Sequence, residues 1–127
     1  MFLNILILIR IKDWLKNTIL FIPLIFSENL INSDHYFNLF LSVIIFSIAT
    51  SIIYIINDIV DLESDKKHLI KMKIKPLANG AISVSFAKRI LIFLILLLII
   101  MISKYNLILY HILGYLILSL SYNFIFK

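Results

Sequence analysis

Cysteine is absent from this chain, and glycine and proline occur only twice each. Without cysteine there is no disulfide framework, no thiolate metal site and no thiol nucleophile, which excludes zinc-finger and thiol chemistry. Nor is there a glycine-rich phosphate loop, a serine triad or a metal-histidine pair. Polar linkers are missing as well, and no repeat stands out, so residues 1–127 read as a single membrane domain. Charged residues make up 15% of the chain against 62% hydrophobic, and the mean hydropathy of +1.06 is too high for a soluble surface. The composition is that of an integral, all-α membrane protein.

Acidic residues are also scarce, seven against twelve lysines and arginines, for a net charge of +5. That excess does not point to nucleic acid, because the charges sort by membrane side. The apolar start Met1 to Ile9 precedes its basic residues and no small-residue cleavage site follows, so it is not a conventional signal peptide. It reads instead as an amphipathic segment along the interface.

A spanning helix needs about 20 apolar residues. Four segments approach this: Leu15 to Ile31, short and containing Pro23 and Glu28; Tyr36 to Ile56; Val84 to Ser103, with Lys88 and Arg89 able to snorkel; and Tyr105 to Phe126. The fourth carries His111, Ser119, Ser121 and Asn123, so one face meets protein or a cavity. A turn signal, Ala78-Asn79-Gly80, precedes the third, and Ser83 or Ser85 is placed to cap it. Threading four spans puts Arg10, Lys12, Lys16, Lys66, Lys67, Lys71, Lys73, Lys75, Lys88, Arg89 and Lys127 on one side, against Lys104 on the other. By the positive-inside rule the polar loop between the second and third spans faces the cytoplasm of a multi-pass inner or plasma membrane protein.

The few acids are not scattered. Asp58, Asp61 and Asp65, preceded by Asn57, follow the second span directly. At about 100° per helical residue the three aspartates fall within roughly 60° on one face. Acidic side chains at a membrane boundary are costly unless paired or coordinated. Carboxylates at this spacing suit Mg²⁺, which takes one or two of them and completes its shell with water and substrate phosphates. Downstream, Lys71, Lys73 and Lys75 supply donors for phosphate oxygens, or act as topogenic charges answering anionic headgroups. Arg10, Lys12, Lys16 and Asn17, around the interfacial Trp14, read either as topology signals or as a second set of phosphate contacts. His68 reads as a solvated loop residue and His111 as a hydrogen-bonded bundle residue.

The string Asn57-Asp58-Ile59-Val60-Asp61-Leu62-Glu63-Ser64-Asp65, followed by Lys75-Pro76-Leu77-Ala78-Asn79-Gly80-Ala81-Ile82-Ser83, resembles the first aspartate-rich motif and following loop of the UbiA prenyltransferase superfamily. The start, Arg10-Ile11-Lys12-Asp13-Trp14-Leu15-Lys16-Asn17, resembles that of the decaprenyl-phosphate phosphoribosyltransferase branch, with Ile11 and Asp13 in place of its proline and glutamine. The resemblance implies a bundle of about nine helices opening laterally to lipid, of which this chain supplies the first four, and a second acidic motif that is not here. It also implies Mg²⁺ as cofactor, Asp58, Asp61 and Asp65 as metal-holding catalytic residues, and Asn57, Lys16, Asn17, Lys71, Lys73, Lys75, Tyr122 and Lys127 as substrate contacts. The implied partners are a polyprenyl phosphate or diphosphate and a phosphorylated co-substrate, such as phosphoribosyl pyrophosphate. Alone, the chain is expected to be weakly active or inactive, with a second chain able to complete the bundle. A different class, a small four-helix polyprenyl-phosphate flippase or accessory subunit, fits the same length and span count without needing a metal.

Overall fold

The computed structural model describes residues 1–22, 33–104, 114–115, 117–119 and 121. Among these every regular element is helical. In order they are α1 (Phe2–Leu8), a 3₁₀ helix (Ile11–Phe21), α2 (Ser33–Val60), α3 (Leu62–Lys67), α4 (Leu69–Ile74) and α5 (Val84–Lys104).

Two helices are long and apolar enough to cross a bilayer, Tyr36–Val60 with 25 residues and Val84–Lys104 with 21. At 1.5 Å per residue the first is about 37 Å long, more than the roughly 30 Å of hydrocarbon. It therefore runs four residues beyond the expected end at Ile56 and carries Asn57 and Asp58 within its last turn. The third expected span is found within one residue of its predicted end. Of the fourth, only 114–115, 117–119 and 121 are described, in helical conformation, and Tyr122, Lys127 and His111 lie outside the described residues. The first expected span also extends beyond the described residues after Ile22; what is described of it is 3₁₀ rather than α-helical.

α2 and α5 pack around fully covered small residues. Ala49 and Ala87 are both 0% exposed, while Ser47 and Ser51 are buried on the face of α2 turned to the 3₁₀ helix. In a bilayer, apolar helices gain little from mutual burial, so association rests on close backbone approach and interhelical hydrogen bonds, which small residues permit. Leu94 and Leu98 continue the contact one α-helical turn apart, while Ile92, Phe93, Leu96, Ile99 and Ile100 point outward.

The 3₁₀ helix is held against α2 by a matched pair of hydrogen bonds. Trp14 Nε1–H donates to Ser51 Oγ at 3.0 Å, and Asn17 Nδ2–H donates to Ser47 Oγ at 2.8 Å. Three residues of 3₁₀ helix rise about 6 Å, as do four residues of α-helix, so the two pairs fall in register. An α-helical 11–21 segment would bring Trp14 and Asn17 to about 4.5 Å along the axis and lose that match. Ser51 also donates to the Ile9 carbonyl at 2.7 Å, tying the end of α1 to the same point.

Ser51→Ala leaves the Trp14 indole N–H and the Ile9 carbonyl without this partner and is expected to cost about 1–2 kcal/mol. Unfolding in mixed detergent, followed by the emission of the single tryptophan, measures it. An unshifted midpoint with unchanged emission would remove Ser51 from the framework.

Candidate functional site

The polar end of α2 presents an electrostatic problem. Asp58 is 3% exposed and stands at a helix C-terminus, where the peptide dipoles already concentrate negative potential. No basic residue of α2 itself lies in that turn. The countercharge has to come from elsewhere in the fold.

Helical hydrogen bonding continues past Val60, with the Asp61 N–H donating to Asn57 O and the Asp65 N–H to Asp61 O, both at 2.8 Å. The path kinks at Asp61 (φ −84, ψ 1) and resumes as α3. Asp58 and Asp65 thus stay on one side, as the spacing predicts. Asp65 is 1% exposed, whereas Asp61 at the kink is half-buried. His68, exposed and extended (φ −96, ψ 110), separates α3 from α4.

The loop after α4 delivers the counter-ion. Lys75 precedes a proline, which disfavours helical backbone, and is extended (φ −86, ψ 120). Leu77, Ala78 and Ile82 are buried, and the Ile82 N–H closes the loop onto Pro76 O at 2.9 Å. The expected turn is there: Gly80 has φ +77, the left-handed region open to glycine, and Asn79 Oδ1 accepts the Ala81 N–H at 2.9 Å. Ser83 Oγ accepts the Phe86 N–H at 3.3 Å and caps α5. With the loop pinned at both ends, Lys75 Nζ reaches Asp65 Oδ2 at 2.5 Å and Asp58 Oδ1 at 2.7 Å.

Two further cations close the cluster. Lys71 Nζ lies 3.0 Å from Asp65 Oδ1, and an Arg10 guanidinium nitrogen lies 3.6 Å from Asp58 Oδ1. Arg10 is the sole non-glycine residue of positive φ (53°) among those described, and its guanidinium sits 4.1 Å from the centroid of the Tyr54 ring. The Lys75–Asp65 Oδ2 contact is a directed hydrogen bond. The Oδ1 atoms of both aspartates are buried and meet their cations only by charge, off the hydrogen-bonding direction.

Arg10, Lys12, Asp13, Asp58, Lys71 and Lys75 form the polar part of a cavity of about 540 Å³. Its other walls are Leu3, Leu6 and Ile7 of α1, Ile11, Ile70 and Ile74 of α4, and Pro76. The use of α1 as a wall was not legible as such, since Met1 to Ile9 read only as an interfacial segment. Other candidates fall apart from this cluster. Lys16 is exposed and pairs with Asp13 at 2.5 Å, Asn17 faces Ser47, Lys73 is exposed, and Asn57 is half-buried. Among the described residues no three histidine or carboxylate side chains converge as a metal-ligand set.

Burial pushes the Asp65 carboxyl up, but the ammonium groups of Lys75 and Lys71 outweigh it and hold it below the ordinary 3.8. Burial likewise pushes Lys75 down, while Asp58 and Asp65 raise it above the ordinary 10.5.

The described helices thus bring a buried carboxylate and several basic side chains together on one cavity with apolar walls. The family model described as the UbiA prenyltransferase family matches residues 18–127, and the chain belongs to that family. It is an integral membrane protein. The chain is also similar to the uncharacterized protein y4nM of Sinorhizobium fredii, 34% identical over 76 residues. That match covers 60% of this chain and spans 14% of the relative's length. No solved structure matches.

The two shifts fix the pH dependence of stability. Asp65, with its folded value depressed, stabilises above 3.8, and its contribution is lost as pH falls through the lower folded value. Lys75, with its folded value raised, stabilises below 10.5, and its contribution is lost as pH rises through the higher folded value. Thermal melts followed by circular dichroism should therefore show a plateau from about pH 5 to about pH 10 with a falling acid limb. Asp65→Asn should flatten that limb while lowering the plateau by about 3 kcal/mol, because it leaves buried lysine charge unpaired. An acid limb identical in the variant would detach Asp65 from it.

Proposed function

We propose that this chain serves a Mg²⁺-dependent membrane transferase acting on a polyprenyl phosphate or diphosphate. In its finer form, which the Arg10 to Asn17 segment favours, it moves 5-phosphoribose from phosphoribosyl pyrophosphate to polyprenyl phosphate. The observation that carries the reading is the buried Asp58 on the polar part of a cavity whose remaining walls are apolar, joined through Lys75 to the buried Asp65 behind it. Such a cavity offers charge to a phosphate head and a dry wall to an isoprenoid tail.

The residues fit a hard divalent cation. The buried Oδ1 atoms of Asp58 and Asp65 lack a directed hydrogen bond, and both are anionic oxygen donors. Two carboxylates, completed by phosphate oxygens and water, make an ordinary Mg²⁺ shell. Asp58 and Asp65 would hold the ion, with Asp61 and Asn57 next to them in the chain. When bound, it neutralises charge developing on a leaving diphosphate.

The chain's own groups do the rest. Lys71, Lys75, Arg10 and Lys12 bind phosphate oxygens as cations around the cavity. The leucine and isoleucine walls take the hydrocarbon chain and keep water from the reacting carbon. The C1–O bond to diphosphate breaks with its electron pair on the departing oxygen, C1 gains oxocarbenium character, and a phosphate oxygen of the lipid closes the new bond. Eleven basic residues on one side of the threaded chain, against Lys104 on the other, support a site opening toward the cytosol, where soluble phosphorylated co-substrate is available.

In membranes containing the assembled transferase, transfer of labelled 5-phosphoribose to polyprenyl phosphate should need Mg²⁺. Asp58→Asn and Asp65→Asn should each reduce it by about a hundredfold or more. Lipid-linked activity that survives both substitutions and chelation would sink the transferase reading and favour a flippase or accessory subunit.

A further inference from the structure

Lys75 Nζ stands at the point where a cation bridging Asp58 and Asp65 has to sit, 2.7 Å from one carboxylate and 2.5 Å from the other. It is delivered there by a docked loop and is only 18% exposed. Lys71 and Arg10 add charge from two other directions. Around these two carboxylates the fold has gathered three cations. A divalent cation approaching the carboxylates alone meets repulsion from Lys75, whereas a phosphorylated anion meets attraction.

We propose that Lys75 is an internal counter-ion that locks Asp58 and Asp65, and that a diphosphate group is what unlocks them. The inference rests on the transferase reading above and adds an order of events to it. The anion binds first, without metal, to Lys75, Lys71 and Arg10. The lysines then turn from carboxylate to phosphate oxygens, with one charge-assisted contact exchanged for another, and the buried Oδ1 atoms become free to accept a divalent cation. Metal affinity is thereby conditional on substrate, which keeps the aspartates from holding a metal ion in its absence.

The test uses the chain in phosphatidylcholine nanodiscs, with Mn²⁺ binding read from the loss of the free-ion electron paramagnetic resonance signal. Mn²⁺ alone should bind the natural protein poorly and Lys75→Met about tenfold or more tightly, since the substitution removes a charge in contact with both ligands. Lys75→Arg should keep the weak affinity. Inorganic diphosphate in excess chelator should bind the natural protein by calorimetry and bind Lys75→Met about tenfold more weakly. Diphosphate binding abolished by phosphatidylglycerol discs would assign these cations to lipid headgroups and overturn the proposal.

Should Lys75→Met not fold, Lys71→Met, at a half-exposed position, provides the same reading with a smaller gain of about threefold. Equal Mn²⁺ affinity in the natural protein and the lysine variants overturns the lock and leaves the transferase reading standing. Mn²⁺ binding to Lys75→Met that persists after Asp58→Asn and Asp65→Asn are added overturns both, because the ion would then be held elsewhere.

Discussion

Two carboxylates withdrawn from water at the end of a membrane helix are the constraint around which this structure is arranged. A buried charge without a partner costs several kcal/mol, and a helix C-terminus makes an anion worse. The partners come from three separate parts of the chain: Arg10 after α1, Lys71 on α4, and Lys75 at the start of the docked loop. None is close to Asp58 in sequence. The kink at Asp61, the separation of α3 from α4 at His68 and the turn at Gly80 all serve to route those cations to one point.

Local chemistry in the sequence was enough for the elements that local chemistry governs. Val84 to Ser103 as a span, the Asn79-Gly80 turn and the Ser83 cap each depend on a few neighbouring residues, and each is present. The convergence of Asp58 and Asp65 followed from helical periodicity, because hydrogen bonding continues through the kink. Which lysine would meet them did not follow. Lys71, Lys73 and Lys75 looked alike, and the choice of Lys75 comes from Leu77, Ala78 and Ile82 being buried in the core.

The segment around Trp14 shows the other limit. Its apolar pattern suited the start of a spanning helix, and Asn17 suited a phosphate contact. Trp14 and Asn17 instead lie one 3₁₀ turn apart because Ser51 and Ser47 lie one α turn apart on the facing helix. A backbone form chosen to match a partner's spacing has no signature in its own composition. The outward face of α5, with Ile92, Phe93, Leu96, Ile99 and Ile100, presents a continuous apolar stripe suited to lipid or to further helices of such a bundle.

Arg10 joins these themes. A left-handed backbone costs an ordinary residue about 1–2 kcal/mol relative to its helical alternative. That conformation is sustained here by what the guanidinium touches at its far end, the Tyr54 ring and the Asp58 carboxylate. The angle between α1 and the 3₁₀ helix is set at this one joint, and α1 is a wall of the cavity. One wall of the apolar chamber is thus oriented by a joint whose far end is anchored on the same carboxylate that stands at the chamber's polar part.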